Sequence, residues 1–503
     1  SSAASDVYKR QDCLVKNLIL LFYINEVSMK KKILALFFSF LLIGCSNNQE
    51  KKPEEKIATL TGKDYLKQYG SSISLEEAIQ IARERNLDIK TKRLEREVAS
   101  LDRKIAFGNF LPSINVMGGY TKLDNQVDIG MDTSSLKNGL GNIPVIGGAL
   151  GNLIPNTLST RLVDESFYTY GVGVQMPVFV PSTWFLYSAR KKGEKISELA
   201  ENLTDKMIQL QIMGEYFYIL ALQSERDYLV NQLNSAKEIE KKARISLKVQ
   251  GILPWELDKA KTLVKARELS LNNNERDLKI AKMNLMKSLN LNPLDDIVIE
   301  DISITQREIP TLEDCIYEAI SQNEILKISD TASGVSRDIK KIAISNFLPK
   351  VILGGGYIEN NNDIFLDSSV GFGNISGVLS IFNGFKNINE YKKAVRRENI
   401  SQMKVEKEFL TVIIETSRAY NNVEKARELC EIADLNYKAE SGRIKQKNSE
   451  KKVGMIGEDE YLSSLSSYDE AFSMKKKADF QYQMALGALS IAMGKNPFVK
   501  GGN

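Results

Sequence analysis

The chain has 503 residues and a formal charge of +4, with 11 prolines, 4 cysteines and not one histidine. Charged residues make up 26% and apolar residues 43%, the balance of a helix-rich protein with a solvated surface. Without histidine the commonest metal ligand and general base is missing, and a charge this small offers nucleic acid no basic face. Composition therefore argues against an enzyme, a metal centre and a nucleic-acid binder.

Residues 1–28 read as upstream of the mature protein, because Met29 opens a secretory pattern: Lys30, Lys31, Lys32, then an apolar run from Ile33 to Ile43. That run is too short to cross a bilayer as a helix. It ends in Leu42-Ile43-Gly44-Cys45, which resembles the lipobox of bacterial lipoproteins. The resemblance implies a signal peptide over 29–44, acylation (palmitate) on Cys45, and, since Ser46 rather than Asp follows, sorting to the outer membrane. Losing residues 1–44 removes six Lys/Arg and three Asp/Glu, leaving 62 basic against 61 acidic residues. Residues 45–73 form the lipidated tether; its polar, Lys/Glu-rich part, with Pro53, has the composition of a flexible linker.

Residues 74–120 align without a gap on 311–357, at a constant offset of 237, with 17 identities in 47 positions. Both stretches contain Asn-Phe-Leu-Pro (109–112, 346–349) and end in Gly-Gly-Tyr. The chain is read as an internal duplication: repeat 1 over 74–293, a linker over 294–310, repeat 2 over 311–497 and a tail over 498–503.

Repeat 1 starts on a capping box, Ser74-Leu75-Glu76-Glu77. Apolar residues at helical spacing carry one helix to about 108, and Pro112 then forces extended backbone. Strands are predicted over about 113–122 and 167–179, where apolar residues alternate from Tyr168 to Val178. Ten-residue strands with one apolar, aromatic-ended face suit a membrane barrel; a half-buried soluble sheet gives the same period. A Gly/Asn/Ser-rich loop of about 45 residues separates the strands, a length normal on the outer face of a barrel. From Thr183 to Val249 no proline occurs, and the predicted helix reaches roughly 100 Å. It turns at Gly251 and Pro254 and returns with Leu257, Val264, Leu271, Leu278 and Leu285 seven apart, a coiled-coil seam. Repeat 2 follows the same plan, with strands over about 350–359 and 368–382, a bulge near 373–376, and a long helix from about Asn389 to Asn448. That helix turns at Gly454 and returns with Tyr461, Leu465, Tyr468 and Phe472, and later Tyr482 to Met493, the stripe interrupted by Lys475 and Asp479. Cys315 and Cys430 fall in helical patterns and read as small buried thiols; neither matches a zinc or redox spacing.

The fold class is therefore an α+β membrane protein with a long α-helical coiled-coil barrel and four strands per chain. Four strands cannot close a barrel; three chains give twelve strands.

This arrangement resembles the outer-membrane efflux protein family, the TolC/OprM-like channels. The resemblance rests on the duplicated Asn-Phe-Leu-Pro junction, Met176-Pro177-Val178-Phe179, and the run from Gly251 through Leu257-Asp258-Lys259-Ala260 to Leu289-Asn290-Leu291-Asn292-Pro293. It implies a homotrimer in the outer membrane of a Gram-negative-type bacterium, extending into the periplasm. There it gives a passive exit duct to substrates expelled by an inner-membrane pump through a periplasmic adaptor. The resemblance also implies that the hairpin tips meet the adaptor, at Val249, Gly251, Val453 and Gly454. Gate acids are implied about six residues past the tip glycine, at Glu458, Asp459 and Glu460 in repeat 2 and, less regularly, at Asp258 in repeat 1. Acids in a first helical turn are also favoured by the helix dipole alone. Arg443 precedes Gly454 by eleven residues and Arg244 precedes Gly251 by seven, which suggests an extra turn before the second tip, although the equal spans of 72 residues from Phe179 to Gly251 and from Phe382 to Gly454 speak against it. No cofactor is implied. The alternatives are the outer channel of a type I protein secretion system and, in a different class, a structural lipoprotein spanning the periplasm.

Overall fold

The computed structural model describes residues 72–141, 153–302, 309–361 and 369–498, all within the compact unit Thr61–Asn503. The predicted signal peptide, Cys45 and most of the tether fall outside the described residues. In the first half the elements are β1 (Ser72–Ile73), α1 (Leu75–Arg85), α2 (Leu87–Gly108), β2 (Ser113–Lys122), β3 (Val127–Asp132), α3 (Ser134–Gly141), β4 (Thr157–Val163), β5 (Ser166–Phe179), α4 (Pro181–Lys248) and α5 (Pro254–Ser288). The second half adds β6 (Val298–Ile299), α6 (Leu312–Gln322), α7 (Glu324–Ser345), β7 (Lys350–Asn360), β8 (Ser369–Val378), α8 (Lys386–Lys452) and α9 (Glu458–Ala492).

The capping box forms: Glu77 N donates to Ser74 Oγ at 3.3 Å, and Ser74 N donates to the Glu77 carboxylate at 3.0 Å. The single helix expected up to residue 108 is instead two, broken at Asn86. The side chain of Asn86 explains the break, because its Oδ1 accepts from Asp88 N and Ile89 N, the free amides of α2. Its Nδ2 meanwhile donates to Ser288 O at 2.8 Å, hooking the break onto the last residue of α5. Asn323 repeats every contact, accepting from Ile325 N and Leu326 N and donating to Ala492 O at 2.9 Å.

The two halves match element by element. α1 and α6 have 11 residues each, α2 and α7 22, α5 and α9 35, and α4 and α8 have 68 and 67. No extra turn precedes the second tip. The ion pair of Arg103 with Glu194 (2.5 Å) has its counterpart in Lys340 with Glu398 (2.5 Å). Ahead of the strands the offset between halves is 237, and along the hairpins it is 204, so the first half carries 33 residues more. They lie between β2 and β5 and include the antiparallel pair β3–β4 and α3. The long loop expected there is thus a partly structured insertion.

β2, β5, β7 and β8 form one antiparallel sheet in that order, leaving β2 and β8 as edges. The register puts apolar residues together. Ile114, Val116, Gly118 and Tyr120 stand opposite Val174, Val172, Tyr170 and Tyr168, and Tyr357 and Leu353 continue the same face. The other face is mixed: Ser113, Asn115, Thr169, Gln175 and Asn374 share it with Met117, Ile352, Ile358, Val370 and Phe372. Gly356 lies opposite Phe372, and a Cβ there would sit 3.1 Å from the Phe372 ring and 2.6 Å from Val172 O, so only glycine fits. The predicted bulge at 373–376 is absent, since β7–β8 pairing runs unbroken from Lys350↔Val378 to Glu359↔Ser369. The irregularity falls between Pro177 and Phe179, where Pro177 has no N–H to give the ladder. β8 also stops at Val378, short of the expected 382.

Each half has its own core. Tyr216, Ile212, Ile219 and Leu285 pack with Ile73 and Ile79 in the first. The Tyr216 hydroxyl lies 2.9 Å from Ile73 O and 2.8 Å from Glu300 O, pinning β1 and the linker to α4. Cys315, Val423, Cys430, Tyr482 and Leu489 form the second. Both cysteines are free thiols; burial, reinforced by Asp479, pushes Cys430 up to about 11. Among the described residues no helix is long and apolar enough to cross a membrane.

Candidate functional site

The ends of the two helical hairpins bring the sequence-predicted residues together. α4 leads through its cap Val249 into Gln250 (φ 59°), and α8 through Val453 into Gly454 (φ 75°). Both turns close in the same way, Gly251 N donating to Ser246 O at 2.8 Å and Met455 N to Glu450 O at 2.9 Å. The left-handed residue of the first tip is therefore Gln250, and Gly251 matches Met455. Counting from the glycines misaligned the tips by one residue. With the turns superposed in sequence, the counterpart of Glu460 is Glu256, which a count from Gly251 does not reach. Only backbone geometry reveals it, because Gln250 occupies a conformation that favours glycine.

The acids named from the sequence are all ion-paired. Glu458 meets Lys451 at 2.8 Å, Glu460 meets Lys447 at 2.9 Å, and Asp459 pairs with Lys242. The first two pairs stay within the α8–α9 hairpin, whereas Lys242–Asp459 ties α4 to α9 across the two hairpins. Lys242 holds the Asp459 carboxyl below the usual carboxylate range. Asp258 is exposed and pairs with its helical neighbour Lys261 at 2.9 Å. Glu256 accepts from Leu253 N at 3.1 Å, capping α5.

Towards the strands, the α4–α9 contact changes character. Asn231 donates to Asp469, and Lys477 meets Glu225 at 2.6 Å. Burial pushes Asp469 up, against the pull of Asn231. Beyond that point the contact is apolar and tight: Phe217 stacks on Phe480 at 5.0 Å, and a Cβ on Gly487 would lie 2.7 Å from Leu210. Polar contacts thus dominate at the tip and close packing dominates further up.

The first tip is also the more apolar. Ile245, Val249, Leu253 and Trp255 are all more than half exposed. Trp255 borders a groove of about 790 Å³ with Ile239, Lys242, Ile252 and Lys259. At the second tip Val453 and Met455 are exposed between lysines and acids. Among the described residues no cluster of acids and thiols could hold a metal ion.

No protein-family model matches the chain, and no curated protein does. Solved structures do. The chain is similar to the Campylobacter jejuni CmeC outer membrane channel, with 15% identity, a TM-score of 0.67 and coverage of 89% of this chain and 90% of that one. The Vibrio cholerae outer membrane protein VceC has 12% identity, a TM-score of 0.63 and coverage of 84% and 96%. The open state of the Neisseria gonorrhoeae MtrE outer membrane channel has 16% identity, a TM-score of 0.60 and coverage of 84% and 89%. The chain has the fold of outer-membrane channel proteins.

Proposed function

We propose that this chain is the outer-membrane channel of a tripartite efflux system, a passive exit duct that three copies build together. The observation that carries the reading is the open sheet β2-β5-β7-β8, with an apolar face across β2 and β5 and two unpaired edges, standing on helices of about 100 Å. Bare edges are not tolerated in lipid, and twelve strands from three chains remove them. The ten residues of β2 rise about 25 Å once tilted, the height of a barrel's apolar band. Aromatic rings mark both ends: Tyr120 against Tyr168 at one, and Phe110, Phe179, Trp184 and Tyr187 at the other. The opposite, mixed face, with Asn115, Gln175 and Asn374, then lines water.

In this reading Cys45 carries the lipid, and the tips at Val249, Gly251, Val453 and Gly454 meet the periplasmic adaptor, which joins the duct to an inner-membrane pump. Glu458, Asp459 and Glu460, together with Glu256, line the closed aperture. No catalytic step is involved; transport follows the gradient the pump creates.

The test is reconstitution. Purified protein has the mass of three chains in detergent and conducts ions in a planar bilayer. Charge reversal of Glu256, Glu458, Asp459 and Glu460 raises the resting conductance. A monomeric, non-conducting protein refutes the proposal, and wild-type conductance in the fourfold variant removes the gate.

A further inference from the structure

The helices change charge where they meet the sheet. α2 and α7 end there and α4 and α8 begin there, so four helix ends lie along one rim of β2-β5-β7-β8. The eleven residues of each helix nearest that rim, about 16 Å of helix, together hold eleven Lys/Arg and three Asp/Glu. Outside this band, residues 45–503 hold 51 basic against 58 acidic residues. The band is therefore strongly basic in a chain that is otherwise acidic. Its three acids are already engaged: Asp102 pairs with Arg190 at 3.2 Å, Asp338 with Lys192 at 2.6 Å, and Glu390 accepts from Asn346 Nδ2 at 3.3 Å. Many of its bases are free. Lys104, Lys191, Lys341, Lys392 and Arg396 are exposed and form no ion pair among the described residues.

We infer that this band docks on anionic phospholipid, its lysines and arginines taking the headgroup phosphates of the leaflet that faces the helices. This rests on the membrane barrel of the proposed function and adds the class of lipid that surrounds it. Helix residues three, four or seven apart share a face. On that basis each helix sets a free lysine beneath an exposed apolar side chain: Lys104 beneath Phe107 on α2, Lys191 beneath Trp184 on α4, Lys341 beneath Ile344 on α7, and Lys392 beneath Phe385 and Ile388 on α8. Large apolar groups at the rim of a lipid-facing sheet belong on its membrane side, because the inner side holds water. The lysines on the same faces then meet the headgroups, as long basic side chains do at a membrane surface. Lys104 and Lys341 lie four residues, about 6 Å, from their helix ends, inside a headgroup layer roughly 5–8 Å deep. Lys191 and Arg396 lie about 15 Å down and feel the leaflet's negative potential across one Debye length of about 8 Å. A zwitterionic headgroup brings its own cation and leaves the excess charge of the band unbalanced, whereas an anionic headgroup neutralises it.

Trp184 supplies the probe, because the chain has two tryptophans and the other, Trp255, sits at the far end of α4, beyond the first tip. The full chain is reconstituted in vesicles of phosphatidylcholine and phosphatidylglycerol, with bromine on the acyl chains of one lipid or of the other. Quenching of Trp184 then reports which lipid lies beside it. Phosphatidylglycerol is expected to be enriched about fivefold over its share of the bilayer, the effect of a single Lys or Arg at an anionic surface. High salt weakens that enrichment. The Lys104→Gln/Lys191→Gln/Lys341→Gln/Lys392→Gln variant loses it, although Trp184 is still quenched. Equal quenching of the unsubstituted protein by the two brominated lipids overturns the assignment, as does full enrichment in the fourfold variant. Enrichment abolished by inorganic phosphate at matched ionic strength marks a free-ion site and also overturns it. A Trp184 that neither lipid quenches places the sheet outside the bilayer and sinks the proposed function itself.

Discussion

Lys206 offers the sharpest test of how the two halves are joined. Its ammonium donates to Glu324 and to Gly494 O at 2.5 Å, so one side chain ties α4 to the start of α7 and the end of α9. Lys206 and Glu324 are 9% and 7% exposed, and Oε2 of Glu324 has no partner among the described residues. The site cannot relax easily: Gly494 has φ 75°, and a Cβ there would lie 2.6 Å from Gln322 O. Lys206→Leu leaves a buried carboxylate without its cation, a loss of about 3–5 kcal/mol. Lys206→Leu with Glu324→Leu removes both charges and leaves an apolar contact in place of the ion pair. Its remaining cost is the Gly494 carbonyl, about 1–3 kcal/mol, offset by apolar packing. The double variant is therefore more stable than the single one. Because a large membrane assembly unfolds irreversibly, the assay is the rate of loss of helical circular dichroism at a fixed temperature in detergent. The single variant unfolds fastest, and the double variant falls close to wild type. A single variant as durable as wild type, or a double variant worse than the single, refutes this account.

Acid should act on the two α4–α9 links in opposite directions. Lys242 lowers the folded-state pKa of Asp459, so that link contributes above the ordinary carboxylate value of about 4 and is lost as pH falls below it. Burial raises Asp469, so the folded state gains as that group is neutralised on the way from neutral pH down to about 4. Resting conductance in planar bilayers is expected to stay flat from neutral pH to about 4 and to rise below it; a rise already in mild acid contradicts this ordering. Separately, Cys45→Ser abolishes labelling by radioactive palmitate, and unchanged labelling disproves acylation there.

Much of the architecture was legible because its signals are periodic. Alternation from Tyr168 to Val178 marks β5, and the heptad from Leu257 to Leu285 faces α4, with Leu257, Val264 and Leu285 buried. What escaped was written in single residues. Asn86 and Asn323 interrupt their helices without disturbing the apolar period on either side, so hydrophobicity alone cannot show the break. Their meaning lies in a side chain that caps one helix while holding another 202 or 169 residues away. Glycine marks the left-handed residue at only one tip, because Gln250 holds that conformation at the other, so a count from the glycines offsets the tips by one residue. The insertion before β5 is rich in Gly, Asn and Ser, which conceals β3 and β4, a pair held by its own register rather than by a core. Among the proposed gate residues, Glu458 to Glu460 stood out as a cluster, while Glu256, a lone acid behind a proline, did not.

The asparagine hooks also bear on how such a chain could arise. Asn86 grips the carbonyl that ends α5, and Asn323 the one that ends α9, so each half fastens its own beginning to its own finish. A segment that shuts on itself in this way can be copied in tandem without inventing a new anchor, since the duplicate arrives with its clasp already fitted. The halves differ mainly between the strands, where the first carries 33 residues more than the second, and on the faces where one half meets the next.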